Sequence, residues 1–80
     1  MNLIDYEFKT VELTDIDGQT FTGYVGDYIY PEDNDPEVEG IIMDNVVRGD
    51  GYKYKNPIEF DASEIKSIEI LDGSTRGITF

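Results

Sequence analysis

Half of the chain's six positive charges fall in one short run. Arg48, Lys53 and Lys55 stand there with Tyr52 and Tyr54, so that cations and aromatic rings alternate. Single-stranded nucleic acid favours that composition, because bases stack on the rings while the cations neutralise phosphates. The competing reading is an exposed hairpin whose lysines offset nearby acids and whose tyrosines cover one end of the fold. Net charge weighs between the two. Eighteen acidic residues against six basic ones leave −12, and a field of that sign repels phosphate backbones and anionic membranes alike. RNA contact through Arg48 to Lys55 is therefore disfavoured, and the expected partner is a second copy of the chain or another protein.

Three further tyrosines, Tyr24, Tyr28 and Tyr30, suit a half-wet protein interface, since each offers an apolar ring and a polar tip. If the strand that carries them stays regular, they lie opposite Phe21 and Val25; a bend at Gly26 turns them inward instead. Glu32, Asp33, Asp35, Glu37 and Glu39 offer oxygen ligands to a hard cation, but the spacing does not make a calcium loop. Counting from Asp33, the sixth position is Val38 rather than glycine and the twelfth is Asp44 rather than glutamate. The stretch reads as a solvated loop that keeps the protein soluble.

The residue types that usually carry catalysis are missing. The chain has no histidine and no cysteine, which removes the commonest general base, the commonest transition-metal ligand and any disulfide framework together. Ser63 and Ser74 have no histidine to activate them, no carboxylate pair stands out from so many acids, and no glycine-rich phosphate loop is present. The expectation is a non-enzyme with no catalytic residue, no metal and no cofactor. Lack of cysteine, an acidic N-terminus without a basic leader, and no apolar run near the ~18 residues of a membrane span read as cytoplasmic.

The elements that must position these side chains are strands. Val11 and Leu13 alternate with Glu12 and Thr14, and Asp17-Gly18 supplies a tight reversal. Phe21, Gly23 and Val25 continue on one face, and glycines inside such a run mark bulges, bends or close backbone approach. Gly23 and Gly26 are thus where a long second strand curls, as in a five-stranded small barrel. Pro31 to Glu37 is a polar loop closed by prolines. Val38 and Gly40 to Met43 read as a third strand, Arg48-Gly49-Asp50-Gly51 as a hairpin turn, and Ile58 with Phe60 as a short fourth strand. Asp61 to Glu64 suits a single 3₁₀ turn, after which Ile65, Ile68 and Ile70 form a fifth strand. Met1 to Phe8 leans to an extended segment continuous with the first strand, with a short N-terminal helix as the alternative. Ile78 and Phe80 allow a short extra C-terminal strand. The whole is one all-β domain with a modest core, a strongly bent barrel or a sandwich.

The order of these elements resembles the Sm-like (LSm) family and, more broadly, SH3-like small barrels. Val11-Glu12-Leu13, Asp17-Gly18 and Phe21-Thr22-Gly23-Tyr24-Val25 are similar to that family's first motif, and Asp27 falls near its aspartate. Ile58 to Phe60, Asp61 to Glu64 and Ile65 to Ile70 are similar to its closing strand, turn and strand. Where the family places an RNA-binding arginine-glycine pair between the last two strands, this chain has Asp61-Ala62-Ser63, and Arg48-Gly49 precedes the fourth strand. Tyr28, Ile29 and Tyr30 follow Asp27 where the family usually carries an asparagine. The resemblance implies barrel shape and assembly through edge strands more than uridine recognition. Three functions follow as expectations: a homo-oligomeric interaction module, RNA binding through the Arg48–Lys55 hairpin, and nucleic-acid mimicry by the carboxylates.

Overall fold

The computed structural model describes residues 2–71. Five antiparallel strands form one sheet: β1 (Thr10–Asp15), β2 (Thr20–Ile29), β3 (Gly40–Arg48), β4 (Ile58–Asp61) and β5 (Ile65–Ile70), in the order β4-β3-β2-β1-β5. Only single 3₁₀ turns interrupt them, at Leu3–Tyr6, Pro31–Asp33 and Ala62–Glu64. Sequence and structure therefore agree on an all-β small domain. No helix among the described residues is long and apolar enough to cross a membrane.

The β1–β2 turn is held by one carboxylate. Asp15 Oδ1 accepts hydrogen bonds from the Asp17 and Gln19 amides, both at 2.9 Å, while Gly18 takes φ +87°, a left-handed value that glycine adopts without steric cost.

The curl of β2 has two distinct causes. Between Val25 and Asp27 the register advances two residues on β2 for one on β3, so Gly26 is the extra residue of a bulge. Between Thr22 and Tyr24 the excess lies on β3, where Asn45 adopts φ +53°, a conformation that asparagine tolerates better than most residues. Gly23 faces that second irregularity, and a Cβ there would stand 2.9 Å from the Asp44 carbonyl oxygen. Each bulge shifts which residues point inward. Phe21 and Val25 are buried before Gly26, whereas Tyr28 packs on the core after it. On β3 the buried set runs Ile41, Met43 and then Val46.

The sheet must also bend because of how it is joined. Lying flat, its outer strands would be about 19 Å apart at ~4.8 Å per spacing. Four peptide steps from Asp61 to Ile65 reach at most about 14 Å, so the sheet curls until its opposite edges meet at Ala62–Glu64. That turn carries reciprocal caps. The Asp61 side chain accepts from the Glu64 amide, and Glu64 Oε1 accepts from the Asp61 amide at 2.9 Å. The Ala62 amide donates to the Glu39 carbonyl, and the Ile16 amide donates to the Glu64 carbonyl.

Inside the curl, Val11, Leu13, Phe21, Val25, Ile41, Met43, Val46, Phe60 and Ile65 form the core with Leu3. Leu3 decides the N-terminus for the short helical alternative over the extended segment. The segment is a 3₁₀ turn rather than an extension of β1: Leu3 is fully buried, its amide donates to Glu39 Oε1 at 3.0 Å, and Phe8 at φ +66° separates the turn from β1. A strand would have placed Ile4, Tyr6 and Phe8 on one face; in the turn Leu3 enters the core while Ile4 and Phe8 are exposed. A second difference concerns β3, which begins after Val38 and runs through Val46 and Val47 to Arg48. The irregularity at Asn45 hides that continuity from a period-two pattern. The C-terminal strand expected at Ile78 and Phe80 lies outside the described residues.

Candidate functional site

The β2–β3 ribbon carries a tyrosine cluster at each end. At one end, β3 leads into the turn Arg48-Gly49-Asp50-Gly51, where Gly51 takes φ +95° and its amide donates to the Arg48 carbonyl at 2.8 Å. The chain returns with the Arg48 amide donating to the Tyr52 carbonyl and the Tyr54 amide to the Val46 carbonyl. Lys53 bridges Val47. The expected hairpin is formed, and Arg48, Tyr52 and Tyr54 meet in it.

Their geometry uses the arginine internally. Arg48 grips Asp50 with two parallel bonds, Nε to Oδ1 at 3.0 Å and Nη2 to Oδ2 at 2.9 Å, the fork geometry in which guanidinium and carboxylate bind most specifically. Nη1 donates to the Tyr54 hydroxyl at 3.3 Å, and the guanidinium carbon lies 5.1 Å from the centre of the Tyr52 ring. Tyr52 and Tyr54 meet edge to face, with centroids 4.9 Å apart at 83°, and Tyr54 leans on Phe21. The Arg48 hydrogen bonds, then the one from the Tyr52 amide, hold the Asp50 carboxyl down to about 2. Hydrogen bonding to Asp50 and Tyr54 raises Arg48 in turn. Lys53 and Lys55 are exposed. Beside the hairpin, a cleft of about 300 Å³ is lined by Gly18, Gln19, Thr20, Arg48, Gly49 and Asp50.

At the other end of the ribbon, Tyr28 and Tyr30 also meet edge to face, with centroids 4.9 Å apart at 80°. The bulge at Gly26 turns Tyr28 toward the core, opposite buried Ile41. Its hydroxyl donates to Glu39 Oε1 at 2.9 Å, the same oxygen that accepts from the Leu3 amide. Burial, then the hydrogen bond to Glu39, pushes the Tyr28 phenol up to about 12, with Glu32 adding repulsion. Tyr30 is 51% exposed. Tyr24 stands apart on the outer face at 40% exposure, opposite Thr10 and Asp44. The candidate interface tyrosines thus divide into one outward residue and one corner.

Two residues that organise these ends carry no signal in the sequence. Glu39 is one more acid in an acidic loop, yet its side chain and carbonyl tie together Leu3, Tyr28 and Ala62. Asp50 reads as a turn residue, and it is Arg48's partner. At the β4 edge, Asp61 Oδ1 is buried without a hydrogen-bond partner, and desolvation, then the Asp61 charge, raises the Glu59 carboxyl. No cluster of three or more potential metal ligands occurs among the described residues. No protein-family model matches the chain, and no curated protein matches it.

Proposed function

We propose that the chain is a non-enzymatic Sm-like barrel serving as an interaction and assembly module, which associates with further copies of itself through its edge strands. The observation that carries this reading is the strand order β4-β3-β2-β1-β5. Among the described residues each outer strand is paired on one side only, so β4 and β5 present backbone donors and acceptors to another strand. Pairing β4 of one copy with β5 of the next satisfies both edges with one repeated, head-to-tail contact, which closes into a ring when the rotation permits.

Side chains support that pairing. Ile70 and Leu71, at the end of β5, are 42% and 38% exposed, which gives the contact apolar area to bury. Glu59 on β4 and Lys66 on β5 are both exposed and opposite in charge. Light scattering coupled to size exclusion tests the proposal. The expected mass is a multiple of the chain mass that persists on dilution, and a strict monomer at high concentration removes self-assembly from the reading.

A further inference from the structure

The two tyrosine corners share their geometry but not their filling. Tyr52 with Tyr54 and Tyr28 with Tyr30 both have centroids 4.9 Å apart, at 83° and 80°. In the first, Arg48 lies over a ring while Asp50 holds its guanidinium. Over the second, no cationic side chain among the described residues is stacked, although acids follow it in the chain. Five of the nine residues from Pro31 to Glu39 are Asp or Glu and none is basic. Glu39 is bonded to the Tyr28 hydroxyl.

We propose that the Tyr28–Tyr30 corner docks the lysine or arginine side chain of a basic segment in a partner protein. The hairpin corner is the internal precedent: orthogonal tyrosines beside a carboxylate hold a guanidinium within this same chain. Ring faces attract cations through their quadrupole, and Tyr30, half-exposed, leaves ring surface open to a partner. The acids of Pro31–Glu39 then supply the charge that Asp50 supplies to Arg48. A net charge of −12 steers a basic partner toward the chain, and at this corner the five acids and no base of Pro31–Glu39 favour a basic segment over the same acidic loop of a second copy.

Tyr30 lies on neither β4 nor β5, so this site is separable from edge-strand assembly. The test is an amide and tyrosine-ring NMR titration of the full chain with a short lysine- and arginine-rich peptide, against a control peptide with glutamine at each basic position. Shifts confined to Tyr28, Tyr30 and the 31–39 loop are expected for the basic peptide alone. Tyr30→Ala should weaken binding about fivefold, the scale of one exposed cation–ring contact, and Tyr30→Phe should retain it, since the ring and not the hydroxyl makes the contact. Glu32→Gln with Asp33→Asn, which leaves both rings in place, should also weaken it. Absence of shifts at low salt overturns the proposal, as does binding indifferent to Tyr30→Ala, which marks diffuse electrostatics. Self-association lost in Tyr30→Ala without peptide binding overturns it too and gives the corner to a second copy. A mass by light scattering unchanged in Tyr30→Ala, together with lost peptide binding, separates this site from the edges.

Discussion

At the Arg48 end of the β2–β3 ribbon a perpendicular tyrosine pair carries a cation from its own turn; at the Tyr30 end a matching pair is followed by a loop that has only acids to offer. The difference is one of local supply. A tight four-residue turn brings residues 48 and 52 face to face, so the arginine reaches its ring and its carboxylate with little chain to order. The loop after Tyr30 begins with a proline-led 3₁₀ turn and brings carboxylates instead. One arrangement of rings therefore stabilises a hairpin where the charge is built in, and offers a contact surface where it is not.

Both ends hang on the middle of the ribbon, and the largest effect is expected there. Gly23→Val places a branched side chain against the Asp44 carbonyl, where even a Cβ approaches to 2.9 Å. Overpacking of this kind costs about 1–3 kcal/mol, and a loss at the upper end is expected in urea unfolding, with the ring shifts of both corners changing together. A variant that unfolded as the parent does would mean that β3 yields at Asn45 and that the ends are independent.

A smaller change addresses the filling itself. Arg48→Ala uncovers the Tyr52 ring and leaves Asp50 beside it, so the basic peptide should then perturb both corners instead of one in the same NMR titration. Peptide shifts still restricted to the Tyr28 end would show that the hairpin needs Arg48 to hold its shape.

The corners should also fail at opposite ends of the pH scale. Asp50 is depressed to about 2, so its contribution is present above the ordinary carboxylate value of about 4 and is lost as pH falls toward 2. Tyr28 is raised to about 12; its contribution is complete below the ordinary phenol value of about 10 and disappears as pH rises through 12. Ring NMR shifts followed across pH should report first the hairpin, then the Tyr28 end. Tyr28→Phe should abolish the alkaline step and cost about 1 kcal/mol for the lost hydrogen bond. An alkaline transition that survives Tyr28→Phe would belong to another group.

Much of this arrangement is legible in the residues alone, and the exceptions share a cause. Strand pattern locates β1, β2, β4 and β5, because one face of each meets the core. Asp61 to Glu64, too short for a stable helix, reads as the single turn between the last two strands, although its reciprocal caps emerge only in the structure. The glycines of β2 mark its bends. What stays hidden depends on contacts distant in sequence: Leu3 turns inward because Glu39, thirty-six residues away, receives its amide. Val46 joins the core because Asn45 adopts a left-handed backbone, which a period-two pattern cannot represent. At the candidate sites, composition finds the rings of the hairpin but not that Asp50 occupies Arg48. It leaves the direction of Tyr28 open because that direction rests on one bulge.

That bulge sets a phase as well as a bend. Were Gly26 drawn into the regular ladder instead of standing outside it, with pairing to β3 preserved on the near side, every later residue would turn inside out. Tyr28 would swing to solvent, and Asp27 and Ile29 would be aimed at the core. A single residue without a side chain thus sets the parity of the far third of the strand, and whether it stands in the ladder or outside it decides which chemistry the molecule shows to water.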